Sequence, residues 1–394
     1  MYRAFVFGAK ALFIFSAQVF FGSEVFFVFW GGVVVSEKES EMNIKDFLKS
    51  KLPEIEKEIE KYVPRKPTKE WIESALGKTV FELDLGAYNA GVNAPIWDLL
   101  DRGGKRWRPV MCCLCAEAVG GTWSDGLKVA PMVELIHNGT LMQDDVEDDS
   151  AARRGKPCTH KIFGVDTAVN TGTIMFFWPM VKIMNDEFKL GDKKKLAIND
   201  LFVKELLRVC SGQAWDIAWH HGGFTPNEAQ YLNMCLSKTG VLAKFAAQLG
   251  AIIGNATEQQ YKALGEFSQI VGVGFQIQDD ILELTEDKFK EGKGSAGGDI
   301  HEGKRTLIVI RTLQKAAPQD KKRLIEILDK HTTEEKEILE AIAIIKKYDG
   351  LEYAKKRAEQ LVLDGWAKAD KVLKESPAKK VLKKFAEHLV DRKI

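Results

Sequence analysis

The pattern of apolar and polar positions predicts a chain built almost wholly of helices. From Met42 onward, apolar residues recur at intervals of three and four, beginning with Ile44, Phe47, Leu48, Leu52, Ile55 and Ile59. This spacing places the apolar side chains on one face of a helix. No stretch between residues 42 and 394 sustains an alternation of apolar and polar residues, so strands are not expected there. The predicted fold class is therefore all-α.

Helix-breaking residues divide this pattern into segments but leave no long linker. Breakers lie at Pro64 and Pro67, Gly103-Gly104, Gly120-Gly121, Gly222-Gly223 and in a glycine-rich stretch at 292–303. Residues 321–393 alternate Lys and Glu with Ile, Leu and Ala, which is typical of packed helices with one solvated face. We expect a single domain over residues 42–394, which is long enough to bury one large core.

The first 41 residues differ in composition from the rest and hold nine of the 22 phenylalanines. A membrane anchor is one interpretation, because residues 11–35 exceed the required length of about 20, although Gln18 and Glu24 near the centre are unfavourable in lipid. A secretory signal is a second, but the small-residue cleavage pattern is missing. We favour a third, in which translation starts at Met42 and Asn43 caps the first helix.

Charge and cysteine content restrict the function classes. The 394 residues carry 57 Lys and Arg against 56 Asp and Glu, a net charge of +1. Such a balance gives no general attraction to nucleic acid, and membrane contact is expected only through residues 1–41. One C-x-x-C pair, Cys112 and Cys115, has no second pair or nearby histidine to complete a zinc site. With no disulfide framework, a reducing, cytoplasmic location is expected.

The first acidic motif, Asp144-Asp145-Val146-Glu147-Asp148, ends an apolar helical run. Asp144 and Asp148 are four residues apart, so they share a helical face with their Cβ atoms about 5–6 Å apart. Two such carboxylates repel each other unless a cation lies between them. Magnesium suits this pair, because it binds through one or two carboxylates and completes its coordination with water and substrate phosphates.

A second acidic motif closes another apolar run, at residues 270–275. It places Gln276, Asp279, Asp280 and Glu283 on one helical face. One acidic motif alone is as typical of a solvated helix end as of a site. Two such motifs, each joined to an apolar helix, indicate a shared cavity that holds metal, because polar clusters are unfavourable to bury without a ligand. A di-iron bundle would need Glu-x-x-His pairs, which the acidic helices lack.

Basic residues complete the candidate chemistry. They are Lys105, Arg106 and Arg108 after Gly103-Gly104, Arg153 and Arg154 after the first motif, and Lys238, Lys293 and Lys304. Each cluster alone is more typical of a solvated surface. In combination, carboxylates that hold metal and separate cations that bind phosphate are what a magnesium–diphosphate complex requires.

Taken together, these motifs resemble the trans-polyprenyl diphosphate synthases, the family of farnesyl, geranylgeranyl and longer-chain diphosphate synthases. The similarity covers about residues 75–313 and includes G-G-K-R-x-R-P, His137, D-D-x-x-D with R-R-G, K-T and F-Q-x-x-D-D. It implies a bundle of mostly antiparallel helices around a deep central cavity. The implied reaction is the head-to-tail (1′-4) condensation of isopentenyl diphosphate with dimethylallyl, geranyl or farnesyl diphosphate.

The resemblance also implies residue roles. Isopentenyl diphosphate is expected at Lys105, Arg108, His137 and Arg154, and the allylic diphosphate at Arg153, Lys238, Lys293 and Lys304. The expected metal set, for three magnesium ions, is Asp144, Asp148, Asp279, Asp280 and Glu283, in which Asp280 and Glu283 act less directly. Asp145 is expected to support the first motif. Thr239 and Gln276 are expected to stabilise the allylic cation. Glu283 departs from the family, which usually has Asp there.

Product length is predicted from residues near the first motif. The fourth and fifth positions before it often limit chain growth in this family, and here they are Thr140 and Gly139, both small. Phe176 and Phe177 are predicted to form a deeper floor, although ordinary core packing explains them equally well. This combination favours geranylgeranyl diphosphate. A terpene cyclase of the same fold and a non-catalytic partner subunit remain alternatives, and a homodimer is expected from the resemblance.

Overall fold

The structure is a computed structural model that describes residues 16–21, 24–29, 34–35, 43–284 and 297–390. Lys293 and Met42 lie outside the described residues, as do residues 11–15, 22–23 and 30–33 of the segment considered as an anchor. The chain divides into two units, Met1–Phe47 and Leu48–Ile394. The predicted boundary at Met42 stays a prediction.

Three strands occupy the first unit, where no interpretation of the sequence placed a sheet. They are β1 (Ser16–Phe21), β2 (Glu24–Phe29) and β3 (Val34–Val35), and they pair antiparallel in that order. Ser16 lies opposite Phe29, and Phe27 lies opposite Val35. Phenylalanine and valine favour strands, and two residues between two such runs are typical of a hairpin. The sequence signal was present but was interpreted as apolar length alone.

Helices make up almost all of the second unit, which confirms the all-α prediction. In chain order the described helices are α1 (Ile44–Tyr62), α2 (Lys69–Leu76), α3 (Leu85–Tyr88), α4 (Ala94–Leu100), α5 (Trp107–Ala118), α6 (Trp123–Glu147), α7 (Thr159–Phe163), α8 (Val165–Phe177), α9 (Val181–Met184), α10 (Asp192–His220), α11 (Glu228–Cys235), α12 (Val241–Ile253), α13 (Glu258–Glu283), α14 (Gly298–His301), α15 (Leu307–Lys315), α16 (Pro318–Asp329), α17 (Glu335–Lys347), α18 (Gly350–Asp370) and α19 (Pro377–Val390). A π-helical turn, Leu236–Gly240, joins α11 to α12. None of the described helices has the length and apolar character needed to cross a membrane.

Helix α12 lies at the centre of the core and packs against α5, α6, α10 and α13. Apart from Lys244 and Ile252, all of its residues are buried. The neighbouring α5 buries Cys112 and Cys115 as thiols, and no group of three or more His, Cys, Asp or Glu side chains suited to a metal ion occurs in the described part of the chain. Helix α12 therefore serves as an apolar core helix against which the longer helices α6, α10 and α13 pack.

A short hairpin between α6 and α7 corrects the prediction that strands are absent after Met42. It consists of β4 (Ala152–Arg153) and β5 (Lys156–Pro157), which pair antiparallel. Arg154 and Gly155 form the turn, with φ angles of 53° and 77°. Positive φ at both central residues is the signature of a type I′ turn, which glycine adopts without strain. Two-residue strands are too short for an alternating pattern to register, yet this hairpin positions both predicted arginines.

Candidate active site

One cavity of about 710 Å³ receives side chains from both acidic motifs. Most of the predicted site residues lie on its wall, namely Lys105, Arg108, His137, Thr140, Asp144, Asp148, Arg153, Arg154, Phe176, Lys238, Thr239, Gln276, Asp279, Asp280 and Lys304. They come from segments as far apart in sequence as α5 and the loop before α15. The fold thus brings the carboxylates and the basic residues together around one space.

The first acidic motif is the last turn of α6, where Asp144 and Asp148 both face the cavity. Burial would raise the pKa of Asp144, but the charges of Lys238, Lys304 and Arg153 hold it below its usual value. For Asp148, burial and the charge of Asp144 raise the pKa to about 7. The pair therefore carries charge that its surroundings do not fully neutralise, and an added cation would be stabilised there.

Asp145 lies behind this motif rather than on the cavity wall. Its side chain is buried, and Oδ1 accepts a hydrogen bond from Nε of Arg153 over 2.7 Å and lies 2.5 Å from Nη2 of the same guanidinium. The same Nη2 lies 3.6 Å from Oδ2 of Asp144. Asp145 thus holds the Arg153 guanidinium against the metal motif, a supporting position of the kind expected for it.

Helix α10 supplies two cavity residues that the sequence analysis missed, Gln213 and Asp216. Lys238 Nζ lies 2.5 Å from Oδ2 of Asp216 and 3.2 Å from Oδ1 of Asp144. Nε2 of Gln213 donates to Oδ1 of Asp144 over 3.0 Å and to Glu147 over 2.7 Å. The available signal was a Gln and an Asp three residues apart on one face of α10, a spacing that was considered only near the two recognised motifs.

The π-helical turn explains how Lys238 and Thr239 reach the cavity. Such turns widen a helix locally and are frequent at functional sites. The turn packs directly against α10. A Cβ added at Gly212 of α10 would come within 2.3 Å of the backbone nitrogen of Lys238. Burial lowers the pKa of Lys238, but Asp144 and Asp216 raise it more, so the net shift is upward. Lys238 is therefore a fixed cation between two carboxylates.

Lys304 provides a second buried cation, near Asp148. Its Nζ lies 4.0 Å from Oδ2 of Asp148 and 3.6 Å from Oδ1 of Asp299, and it also pairs with Glu302. Burial raises the pKa of Asp299 to about 6, against the lowering effect of Lys304. Asp299 was not predicted, because glycine-rich sequence around it masked any helical spacing.

The second acidic motif ends α13, where Gln276, Asp279 and Asp280 lie on the cavity wall. Burial and the charge of Asp299 raise the pKa of Asp280 to about 8. Glu283 is not among the residues that line the cavity. Its carbonyl oxygen accepts a hydrogen bond from the Gly297 N–H over 3.4 Å. Its predicted metal role therefore lacks the direct access that Asp279 has.

A separate basic region lies at the start of α5. Nη1 of Arg108 lies 3.2 Å from Nε2 of His137, and a guanidinium can only donate, so Nε2 is the unprotonated nitrogen. Burial and the charges of Arg108 and Arg154 hold the pKa of His137 well below its usual value. Burial lowers the pKa of Arg108 to about 10. At neutral pH the region thus combines a neutral imidazole with charged guanidinium groups.

A buried ion pair supports this basic region from below. Arg106 is 2% exposed and donates to Glu134 over 2.8 Å and to Glu56 over 2.8 Å. Glu134 accepts from Nδ2 of Asn138 over 2.8 Å, and Oδ1 of Asn138 accepts from Arg154 over 3.3 Å. This series of contacts links the loop before α5 to Arg154 of the hairpin and fixes the orientation of the Arg154 side chain.

The residues predicted to limit product length are separated by the structure. Thr140 and Phe176 line the cavity, whereas Phe177 is 60% exposed and its ring packs 6.3 Å from that of Phe202. Gly139 is buried where α6 crosses α8, and a Cβ there would come within 2.9 Å of the Gly172 oxygen. Of the two residues predicted to form a floor, Phe177 is not among those that line the cavity, because adjacent helical residues point about 100° apart. Phe176 alone keeps that role.

The donor set fits magnesium, which the family resemblance implies. Asp144 and Asp148 lie one turn apart, and Asp279 lies on the opposite motif of the same cavity. Magnesium characteristically takes one or two carboxylates and leaves its other positions to water and substrate phosphates. Each motif offers that partial set, and Asp148 carries the raised pKa of a carboxylate that lacks a sufficient counter-ion.

Comparison with known proteins places the chain in a family. A family model described as polyprenyl synthetase matches residues 89–345, which contain both acidic motifs and the basic residues between them. The chain belongs to the polyprenyl synthetase family. It is accordingly a trans-prenyltransferase, an enzyme that elongates prenyl chains.

Named relatives and a solved structure agree with this assignment. The chain is 37% identical to a short chain isoprenyl diphosphate synthase of Methanocaldococcus jannaschii, over 71% of this chain and 81% of that protein. It is 34% identical to a geranylgeranyl diphosphate synthase of Methanosarcina mazei, over 75% and 87% respectively. The crystal structure of a geranylgeranyl pyrophosphate synthetase from Pyrococcus horikoshii superposes with a TM-score of 0.76 at 30% identity, covering 91% of this chain and 100% of that one. Sequence and fold thus agree on the polyprenyl synthetase family.

Proposed function

We propose that this polyprenyl synthetase joins isopentenyl diphosphate to an allylic diphosphate with the help of magnesium, and that its main product is geranylgeranyl diphosphate. The observation that carries the proposal is the single cavity in which Asp144 and Asp148 meet Asp279 across from two separate groups of basic residues. Two diphosphates and their metal ions need this arrangement, because each diphosphate requires its own cations.

The two substrates are assigned to different parts of the cavity. Isopentenyl diphosphate binds at Lys105, Arg108, His137 and Arg154, where a neutral His137 adds a polar contact without further charge. The allylic diphosphate binds beside the acidic motifs, at Arg153, Lys238 and Lys304, joined by Lys293 from outside the described residues. Lys238 already contacts Asp144 at 3.2 Å, so it reaches metal-bound phosphate without leaving the motif.

The chemistry follows from this placement. The allylic C–O bond breaks and its electron pair leaves with the diphosphate, which Arg153 and Lys238 stabilise. The isopentenyl double bond then forms a new C–C bond with the allylic carbon, and the proton lost from the adjacent carbon goes to the released diphosphate. Bound magnesium neutralises charge on the departing group. Apolar wall residues such as Leu242 and Ile217 keep water from the cation.

Asp144, Asp148 and Asp279 are the proposed direct ligands of three magnesium ions. Asp144 and Asp148 share a helical face and Asp279 stands across the cavity, so ions on both sides of one diphosphate are geometrically reasonable. Asp145 acts through Arg153, and Glu283 acts at most through water because it lies off the wall.

The product assignment rests on the upper wall and the floor. Thr140, one turn before Asp144, is small and leaves room for a growing tail, whereas the larger Phe176 ring lines the same cavity beside Gly139. The Methanosarcina mazei relative carries the name of a geranylgeranyl diphosphate synthase, which supports the same length. A C20 tail is therefore the product that this wall accommodates before Phe176 stops it.

A homodimer is proposed from two exposed apolar stripes. On α8 the stripe includes Val165, Val169 and Phe177, which are 55%, 42% and 60% exposed. On α10 it includes Leu196, Val203 and Leu207, which are 72%, 54% and 65% exposed. Exposed apolar stripes of this kind mark surfaces for protein association. In a dimer with a two-fold axis, each stripe would be buried against the same stripe of the partner subunit.

The test is incubation of the purified protein with magnesium, labelled isopentenyl diphosphate and each allylic starter in turn. Mass analysis should give a C20 product from dimethylallyl, geranyl and farnesyl diphosphate, and both EDTA and Asp144→Ala should abolish it. Longer products would reject the Phe176 floor but not the reaction. No elongation from folded protein would favour the terpene cyclase or the partner subunit instead.

A further inference from the structure

A chain of hydrogen bonds runs from buried α11 to the cavity wall. The Tyr231 hydroxyl donates to Oδ2 of Asp280 over 2.7 Å. Nε2 of Gln276 donates to Oδ1 of Asp280 over 2.8 Å. The Thr239 hydroxyl donates to Oε1 of Gln276 over 2.8 Å. All three distances are those of ordinary hydrogen bonds, so four side chains form one connected series.

Asp280 determines the direction of the bonds in this series. A carboxylate only accepts hydrogen bonds, so the amide nitrogen of Gln276 faces Asp280 and the amide oxygen faces Thr239. The single hydroxyl proton of Thr239 is then engaged on that oxygen. A proton taken up on Oδ2, the oxygen that faces Tyr231, would leave Oδ1 as the acceptor. The bonds that orient Gln276 and Thr239 therefore keep their direction when Oδ2 of Asp280 carries a proton.

Gln276 and Thr239 carry this polarity to the cavity, because both line its wall. The Thr239 hydroxyl proton and one N–H of Gln276 are used inside the series, so the oxygens of both side chains keep a lone pair for the cavity. A reversed amide would offer N–H groups instead, whose positive ends destabilise a nearby cation. The direction of the Gln276 amide thus decides the sign of the field at the place where positive charge develops.

Hydrogen bonding within the protein distinguishes Asp280 and Tyr231 from the direct metal ligands, although both also line the cavity. Tyr231 is 2% exposed and Asp280 is 4% exposed, and each carboxylate oxygen of Asp280 already accepts a hydrogen bond from the protein. In this setting protein donors take the place of water around the carboxylate and hold it in one orientation. This is the environment of a residue that orients a neighbour rather than of one that exchanges water for metal.

We propose that Tyr231 and Asp280 are positioning residues that hold the oxygens of Gln276 and Thr239 toward the allylic cation. The inference rests on the proposed prenyl elongation and holds for any product length. It replaces the metal role predicted for Asp280 and assigns a role to Tyr231, which no sequence motif singled out.

Asp280→Asn tests the proposal with a nearly isosteric change. The introduced amide accepts from Tyr231 through its oxygen and turns its N–H₂ toward Gln276, which then rotates to accept. The two bonds beyond residue 280 then reverse, and protons of Gln276 and Thr239 face the cavity. We expect the single-turnover rate of elongation to fall roughly 10- to 100-fold, while both substrate KM values and the half-saturating magnesium concentration stay within about twofold.

Asp279→Asn is the matched comparison, since it removes a proposed direct ligand at the adjacent position. It should raise the half-saturating magnesium concentration, which Asp280→Asn should not. A rise of similar size in both variants would make Asp280 a metal ligand and overturn the proposal. Unchanged rates in Asp280→Asn would overturn it as well.

A double-mutant cycle separates positioning from general damage. In a Gln276→Leu background, Asp280→Asn should cause no further loss of rate, because the group through which it acts is gone. An equal loss in both backgrounds would contradict action through Gln276. Wild-type elongation is measured first, so a failure of the proposed function is recognised before any variant is interpreted.

Tyr231→Phe supplies a milder variant in case Asp280→Asn does not fold. It removes the outer donor but leaves the acceptor that orients Gln276, so the rate should fall less than about fivefold with an unchanged magnesium requirement. Tyr348→Phe, which loses a hydroxyl bonded to Asp320 at 2.8 Å away from the cavity, is the control. If Tyr231→Phe required more magnesium than the wild type and Tyr348→Phe did not, the proposal would be overturned.

Discussion

Lys238 and Asp144 form an ion pair inside the cavity, with Nζ 3.2 Å from Oδ1. The protein therefore places one of its own cations against the motif proposed to bind metal. Any magnesium ion that binds Asp144 without substrate meets the repulsion of this ammonium. With the diphosphate present, the same ammonium has a phosphate oxygen to bind, so substrate and metal are expected to bind together.

Lys238→Met should strengthen magnesium binding in the absence of substrate. Removing one positive charge a few ångströms away should lower the dissociation constant roughly 3- to 30-fold, as measured by calorimetry. Elongation should fall in the same variant, because the allylic diphosphate loses a cation. Lys244→Met is the control, since Lys244 pairs with Glu205 and does not line the cavity. Weaker magnesium binding in Lys238→Met would contradict the competition.

Magnesium binding should depend on pH through Asp148. Burial and the charge of Asp144 raise the pKa of Asp148 to about 7, and metal binds the deprotonated form. Protons therefore compete below about pH 7, where the dissociation constant should rise up to about tenfold per pH unit, and the dependence should level off above it. Calorimetry without substrate between pH 5.5 and 8.5 measures this. A flat profile would show that Asp148 is already ionised or binds no metal.

Phe176→Ala should lengthen the product, because it removes a large ring from the cavity wall beside Gly139. Product masses from farnesyl diphosphate should shift from C20 toward C25 and beyond. Phe177→Ala is the neighbouring control, and its products should keep the wild-type length because Phe177 does not line the cavity. If Phe177→Ala lengthened the product and Phe176→Ala did not, Phe177 rather than Phe176 would be the residue that limits product length.

Gly139→Ala should destabilise the crossing of α6 and α8. The added Cβ would lie 2.9 Å from both the Gly172 oxygen and the Met175 Cβ, and overpacking of this kind typically costs about 1–3 kcal/mol. Thermal unfolding should show a lower Tm than wild type. Gly91→Ala, where an added Cβ meets nothing within 4 Å, should not lower it. Equal Tm values for the two variants would mean that the helices separate without penalty.

Sequence patterns predicted the helices and the two acidic motifs well, because both are set by local spacing. The Arg154–Gly155 turn was beyond reach, since two-residue strands leave no periodic signal. Phe176 and Phe177 could not be told apart, because the rotation of α8 depends on the contact between Gly139 and Gly172 across two helices. Asp216 was missed for a similar reason, as only the fold brings α10 within reach of Lys238.

The Asp280 series illustrates a further limit of sequence reasoning. Asp279 and Asp280 are chemically identical in the motif, and spacing assigns both to one helical face. The structure distinguishes them by the partner that each meets, because Tyr231 approaches Asp280 from α11. Such a distinction depends on packing between helices, which no single motif encodes.

The most direct test of the proposed site is a crystal structure with manganese in place of magnesium and an allylic thiolodiphosphate, which does not ionise readily. Anomalous scattering would locate the metal ions. We predict ions coordinated by Asp144 and Asp148 on one side of the diphosphate and by Asp279 on the other, with Lys238 on a phosphate oxygen. A diphosphate bound without metal at either motif would contradict this prediction.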